Sequence, residues 1–443
     1  MKAPDEDPQN AGSAAPTGLR LADAGAEASV PADAISGRKS HNGDGRGKSK
    51  KRRRRRRGPV YAPGTGPRAV AHVDTTETSP ALTTRAPADS KLGSAERDTR
   101  VQRQAPFYGA LDLGTNNCRL LVAIPREQGF RVVDAFSRIV RLGEGVGQTG
   151  RLGDAAMARA IEALKVCSQK LAYRDVTRVR MIATEACRTA ENGAEFIARV
   201  LDETGLELEI VSRETEARLA VAGCASLVDP RASGVILFDI GGGSSELVWL
   251  DFDAREDARR RRASDRIREW VSLPVGVVTL SERHGGRDVS AAQFEAMVAE
   301  VAVMLEAFPN VAVLDAAVAA GAVHMLGTSG TVTTLAGVHL ELPRYDRRMV
   351  DGTWLSGGRV AELVNLFVAM DYEARCANPC IGRERADLVL AGCAILEAIR
   401  RRWPCDRLRV ADRGLREGVL VEMMSEDGVW SGRQGRRAGE RLG

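Results

Sequence analysis

At 443 residues the chain has length for two or three domains with sizeable cores. Hydrophobic residues at 44% and charged residues at 28% are the proportions of a soluble globular protein, and a net charge of only +5 excludes a molecule that is basic throughout. No secretory apolar region opens the chain and no apolar stretch is long enough to span a bilayer, so a cytoplasmic location with reduced thiols is expected. The eight cysteines lie mostly inside apolar runs, and Cys376 and Cys380 are followed by no second pair or histidine that would complete a metal site.

Residues 1–106 are rich in Ala, Gly, Pro, Ser, Asp and Arg without hydrophobic period, which predicts a disordered tail. Within it, Lys48–Arg57 is basic at every position except Ser49. That run could seek RNA, lipid headgroups or a polyanionic substrate. No aromatic residue sits among the charges to stack a base, so non-specific adhesion to polyanions is the simpler reading. From Phe107 the pattern predicts strands at Phe107–Leu113, Leu120–Ile124 and Phe130–Leu142, then a helix at Leu152–Ala172 with apolar residues at helical spacing. A strand at Val179–Ala183, a helix at Gly193–Glu203, a strand at Leu206–Val211 and a helix at Glu214–Ala225 follow. The pattern restarts with strands Val235–Asp239, Leu247–Leu250 and Glu269–Leu273, a helix at Ala292–Phe308, a strand Val323–Gly327 and a helix from Thr331. Helices at Gly357–Met370 and Glu384–Arg401, a strand at Leu408–Val410, a helix at Leu415–Met424 and a frayed end close the chain.

Two of these hairpins nearly repeat each other. Asp112-Leu-Gly-Thr-Asn-Asn117-Cys118-Arg119 and Asp239-Ile-Gly-Gly-Gly-Ser244-Ser245-Glu246 each bring an Asp to a strand end and reverse the chain through small residues, 127 positions apart. Turns of Gly, Ser, Thr and Asn leave backbone N–H groups unshielded, as a phosphate cradle requires, and a neighbouring carboxylate can hold Mg²⁺. The halves also agree further on, with Met181-Ile-Ala-Thr184 matching Met325-Leu-Gly-Thr328. The second half is longer by 17 residues, the length of the charged stretch Phe252–Arg268, so a duplicated βββαβ unit with one hairpin insertion is expected. Gly145-x-Gly147-x-x-Gly150 fits a dinucleotide fingerprint, but the next strand ends at Ala183-Thr184 without the expected acidic residue in place, and the run is read as a turn.

Two such halves point to an α/β fold of two actin-like, RNase H-type domains (the ASKHA superfamily) facing an interdomain cleft. The expected division is residues 1–106 as tail, 107–231 and 232–430 as domains, the second carrying the C-terminal helices, and 431–443 as a frayed end. Within that superfamily the chain resembles the exopolyphosphatase/guanosine pentaphosphate phosphohydrolase (Ppx/GppA) family. The resemblance rests on the two hairpins, Thr184-Glu-Ala-Cys-Arg188-Thr-Ala-Glu-Asn192, Glu216-Ala-Arg-Leu219, Gly327-Thr-Ser-Gly330 and Arg413-Gly-Leu-Arg-Glu-Gly418. It implies a short form without the C-terminal HD-type domain of longer members.

A glutamate such as Glu216, early on a helix, is ordinarily an exposed ion-pair or capping residue. The resemblance instead implies that it is the general base on the attacking water, helped by Glu246. Phosphate binding falls to Gly114, Thr115, Asn116, Asn117 and Cys118, to Gly241, Gly242, Gly243, Ser244 and Ser245, and to Gly327, Thr328 and Ser329, with Arg119 and Arg188 as clamps. Asp239, Asp112 and Glu246 are the expected Mg²⁺ ligands. Arg119 takes the place in the first hairpin that Glu246 takes in the second, giving one basic and one acidic wall. The expected activity is exopolyphosphatase, acting on inorganic polyphosphate with Mg²⁺, or pppGpp hydrolysis as the near alternative. An actin-like ATPase or kinase and a non-catalytic polyanion or RNA binder are more distant, and the oligomeric state, a homodimer included, stays open.

Overall fold

The computed structural model describes residues 106–252 and 262–430. The basic run Lys48–Arg57, the middle of the charged insert and the frayed end lie outside the described residues.

The first lobe is a five-stranded sheet made of β1 (Tyr108–Leu113), β2 (Asn117–Pro125), β3 (Phe130–Ile139), β4 (Arg178–Ala183) and β5 (Glu209–Ile210), in the order β3-β2-β1-β4-β5. β1 is central because it is buried on both faces, pairing antiparallel with β2 and parallel with β4. A one-turn helix α1 (Val146–Thr149) has a left-handed glycine at each end, Gly145 and Gly150, so the glycine fingerprint is a turn as read. The long helix α2 (Asp154–Tyr173) lays Ile161, Leu164 and Cys167 against Leu111, Leu113 and Leu120 of the sheet. Then come α3 (Glu185–Thr189), α4 (Gly193–Thr204) and α5 (Arg213–Cys224).

The second lobe carries six strands in the order β10-β11-β9-β6-β7-β8. In chain order they are β6 (Gly234–Ile240), β7 (Ser245–Asp251), β8 (Ile267–Leu273), β9 (Val323–Thr328), β10 (Trp354–Ser356) and β11 (Arg407–Ala411). Helices α6 (Val277–His284), α7 (Ala291–Leu305), α8 (Val311–Ala319) and α9 (Gly330–His339) lie around the β8–β9 crossover. They are followed by α10 (Arg347–Val350), α11 (Gly357–Ala369), α12 (Tyr372–Ala377), α13 (Val389–Arg402) and α14 (Leu415–Glu426). The largest core cluster joins β6, β7 and β9 to α7, α9, α11 and α13.

The duplication is visible in strand pairing. β1 and β6 hold the same place, each between an antiparallel hairpin partner and a parallel strand, and Asp112 faces Arg119 across the first hairpin as Asp239 faces Glu246 across the second. One detail differs from expectation. Leu111 pairs with Met181 whereas Phe238 pairs with Gly327, so the counterpart of Met181 lies two residues beyond Met325. An even slip keeps each side chain on its original face.

Several element boundaries also differ. α13 starts at Val389 rather than Glu384, β5 has two residues rather than six, and α3 and α8 fall in segments read as connections. The division at residue 232 needs correcting more seriously, because α14 returns to the first lobe. Its Leu415, Val419, Leu420 and Met423 cover Tyr108, Ala110, Leu121 and Ile182. There it crosses α5, whose other face packs on Val235, Leu237, Val248 and Leu250 of the second sheet. The crossing is a backbone contact. A Cβ on Gly223 would lie 2.0 Å from the Gly414 carbonyl oxygen, and one on Gly418 would lie 2.0 Å from that of Leu219. A second bridge spans the lobes elsewhere, where Arg141 grips Asp387 through Nη1–Oδ2 at 2.8 Å and Nη2–Oδ1 at 3.0 Å.

Candidate active site

Both small-residue turns open on one cavity of about 460 Å³, bordered also by Glu185, Glu216, Glu246 and the loop before α14. The turns touch: Cβ atoms added at Gly242 and Gly243 would come within 2.8 and 2.9 Å of Thr115. Each closes on itself, with Gly114 N–H donating to Asn117 O at 2.9 Å and Gly241 N–H to Ser244 O at 3.0 Å. Among the described residues, the amides of Thr115, Asn116, Gly242, Gly243 and Ser244 find no acceptor. The buried Asn116 Oδ1 is likewise without a partner. Unpaired buried polar groups are costly, and a cluster of donors around one cavity is the arrangement an anion satisfies.

The carboxylates that border the same space include Glu216, Glu246, Asp239 and Asp112. Glu216 is in the first turn of α5, which Ser212 caps by accepting from Thr215 N–H. Arg188 Nη2 donates to Glu216 Oε2 at 3.1 Å. Burial first, then the neighbouring Glu246, pushes the Glu216 carboxyl well above the usual range, with Arg188 opposing them. Glu246 is buried and accepts on Oε1 from Ser244 Oγ at 2.8 Å and Ser272 Oγ at 2.9 Å. Burial and then Asp239 raise it to about 7. Asp239 rises to about 6 through burial and repulsion from Asp112, and Asp112 is raised by burial against the pull of Arg119 and Arg416. These acids share a desolvated pocket and repel one another, a condition typical of functional sites.

Some expected site residues lie elsewhere. Cys118 turns its thiol into the first-lobe core, 4.0 Å from that of Cys167. Ser245 is fully buried and donates to Val275 O at 2.7 Å. Gly327 packs within the strand against the Phe238 ring, while Thr328 and Ser329 do border the cavity. Gly114 and Gly241 line the cavity but spend their amides closing the turns. Arg188 is not aimed at substrate: its donors go to Glu185, Glu216 and the Val211 carbonyl. Arg119 does face the cavity. The three expected metal carboxylates are not gathered into one cage, since no group of three His, Cys, Asp or Glu with metal-binding spacing occurs among the described residues.

Sequence reasoning passed over other contributors. Glu185 holds Arg213 as well as Arg188; burial works to raise its carboxyl, but the hydrogen bonds from these arginines bring it below the usual value. Tyr345, Arg347, Arg385, Asp412 and Arg416 reach the cavity from the C-terminal region. Only the presence of Arg413 to Gly418 among the family motifs hinted at them.

The model of the Ppx/GppA phosphatase family matches residues 121–427. The chain belongs to the Ppx/GppA family. Members of this family are phosphoanhydride hydrolases. Among curated relatives, Exopolyphosphatase 2 of Mycobacterium tuberculosis is 28% identical over 328 residues, covering 71% of this chain and 97% of that protein. The guanosine-5'-triphosphate,3'-diphosphate pyrophosphatase of Aeromonas salmonicida is also 28% identical, over 73% of this chain but 60% of its own length. The crystal structure of the Aquifex aeolicus member of the Ppx/GppA family superposes with a TM-score of 0.58 at 29% identity, covering 73% of this chain and 99% of that one. An exopolyphosphatase structure from Cytophaga hutchinsonii, 24% identical with a TM-score of 0.63 over 72% of this chain and 98% of that one, supports the fold. Among the described residues, no helix is long and apolar enough to cross a membrane.

Proposed function

We propose that this Ppx/GppA protein is an exopolyphosphatase, removing the terminal phosphate of inorganic polyphosphate. The observation that carries this reading is one cavity lined by five partnerless amides together with Glu216 and Glu246. The amides of Thr115, Asn116, Gly242, Gly243 and Ser244 take the non-bridging oxygens of the terminal phosphate, with Arg119 adding charge. Glu216 removes a proton from water as its oxygen bonds to the terminal phosphorus. The bond from that phosphorus to the bridging oxygen breaks, and the shortened chain leaves with the electron pair. Glu246, fixed by two serine hydroxyls, orients the water. Positioning and electrostatics of this kind supply most of the catalysis in phosphoryl transfer.

Asp112 and Asp239 fit a Mg²⁺ ion. They are half-buried, repel each other and border the cavity, and Mg²⁺ is commonly held by one or two carboxylates with water and substrate oxygens. When bound, the ion would offset the charge of the phosphate chain. The Aeromonas relative supports pppGpp as an equal alternative substrate. The test is phosphate release from long polyphosphate, short polyphosphate and pppGpp, each with and without Mg²⁺. Glu216→Gln should lower kcat by about 10²–10⁴. A folded Glu216→Gln protein that keeps most of its turnover refutes the assignment of the base.

A further inference from the structure

The two turns of the cradle belong to different lobes, so their amides meet one anion only while the lobes keep one register. Three of the partnerless amides, those of Asn116, Gly242 and Gly243, share a peptide plane with the carbonyls of Thr115, Gly241 and Gly242. Each of these carbonyls is held from behind. Thr115 O accepts from Gly143 N–H at 2.9 Å, Gly241 O from Val277 N–H at 2.9 Å and Gly242 O from Val278 N–H at 2.8 Å. Because the peptide is planar and trans, a carbonyl pinned on one side turns its N–H toward the other. The loop after β3 and the start of α6 are thus the supports of the two turns.

Those supports are joined to each other across the lobes. Arg141 lies in the loop after β3, where its N–H donates to Asn116 O at 3.0 Å. Its φ of 48° is a left-handed conformation that a residue other than glycine keeps only where its surroundings hold it. Its guanidinium makes the bidentate bridge to Asp387 and also donates to Glu384 O at 3.2 Å. Asp387 is in turn fastened to α6, whose Ser281 Oγ donates to its carbonyl oxygen at 2.8 Å. Further along the first loop, Gly145 N–H donates to Glu282 Oε1 of α6 at 2.7 Å. None of Arg141, Gly145, Glu282 and Asp387 borders the cavity, so their role is not contact with phosphate. An exposed ion pair is worth little, but this one is half-buried and bidentate, and a two-pronged pair fixes direction as well as distance.

Resting on the reading above, we propose that Arg141 and Asp387 are positioning residues for phosphoryl transfer. Their bridge, seconded by the Glu282 bond, ties the support of the first turn to that of the second and keeps amides from both lobes aimed at one phosphate. Losing it leaves every group that touches substrate in the chain but lets the halves of the cradle drift, and a drift of about 1 Å costs catalysis up to about 10²-fold.

The experiment compares wild type with Arg141→Met, Arg141→Lys, Asp387→Asn and the double variant Arg141→Met/Asp387→Asn. Kinetics are measured on long polyphosphate well below the melting temperature, and melting with and without tripolyphosphate. Arg141→Met and Asp387→Asn should each lower kcat/KM about 10- to 100-fold and shrink the Tm rise on adding tripolyphosphate. The double variant should lose no more than either single one, because both remove the same interaction. Arg141→Lys, which keeps the charge but not the fork, should recover part of the loss. A merely structural bridge would lower the anion-free Tm and leave kcat/KM and the tripolyphosphate rise as in wild type. That result, or losses that add in the double variant, overturns the proposal. A wild type that releases phosphate from no substrate sinks the hydrolase reading alone, and the melting arm then decides whether the bridge aligns the cradle for an anion. A wild type that tripolyphosphate does not stabilise removes the cradle itself, and the proposal with it.

Discussion

Arg188 distinguishes a residue that touches substrate from one that arranges the residue that does. The hydrogen bonds of its guanidinium go to Glu185, Glu216 and the Val211 carbonyl, so its charge acts on the base. Arg188→Ala removes the cation that holds down the Glu216 pKa, which climbs further. The acid limb of kcat/KM should then move to higher pH, with activity at pH 7 down about tenfold and partly restored by alkali. A substrate clamp would instead lose activity evenly at every pH, and a pH–rate profile separates the two. The sequence made Arg119 legible because hairpin register places it where Glu246 stands in the other half. Glu185 lies one turn before Arg188 in α3, but the sequence could not reveal its other partners, Glu216 of α5 and the Val211 carbonyl after β5, which it meets only through tertiary packing.

At the scale of elements, the hairpins and most helices were readable because their apolar spacing is local. The destination of α14 was not. Its face of Leu415, Val419, Leu420 and Met423 would serve equally well against either sheet, and no local signal separates the choices. What settles the docking is fit, since Gly223 and Gly418 let α5 and α14 approach until backbone meets backbone. Gly418→Ala puts a methyl 2.0 Å from the Leu219 carbonyl oxygen, and backbone cannot swing aside as a side chain can. The expected cost is about 1–3 kcal/mol, read as a lower denaturant midpoint. Activity should fall as well, because the loop before α14 and its first turn line the cavity. Unchanged stability would mean that the helices do not cross so closely in solution.

For the whole molecule, the cluster of buried acids fixes how stability varies with pH. Glu246 has a pKa of about 7 folded against an ordinary value near 4.5, so between those limits the native state binds more protons than the unfolded one. Its contribution is complete below about pH 4.5 and is lost as pH rises through about 7. Glu246→Gln should therefore stabilise the Mg²⁺-free protein by about 1–3 kcal/mol at pH 8, with the gain fading toward pH 5. Urea titrations across that range check the slope, and a gain that grew on acidification would reverse the argument.

The homeward path of α14 also bears on how the protein is made. By the time β5 emerges from the ribosome, every strand of the first sheet exists, yet the apolar side chains of Tyr108, Ala110, Leu121 and Ile182 still lack their cover. That cover arrives only with Leu415 and its neighbours, after the entire second lobe has been translated, a delay of roughly 10–40 s at ordinary elongation rates. The nascent chain thus carries a sticky, half-dressed surface for about half of its synthesis, and ribosomes halted before α14 would hold their product in the form that chaperones seek.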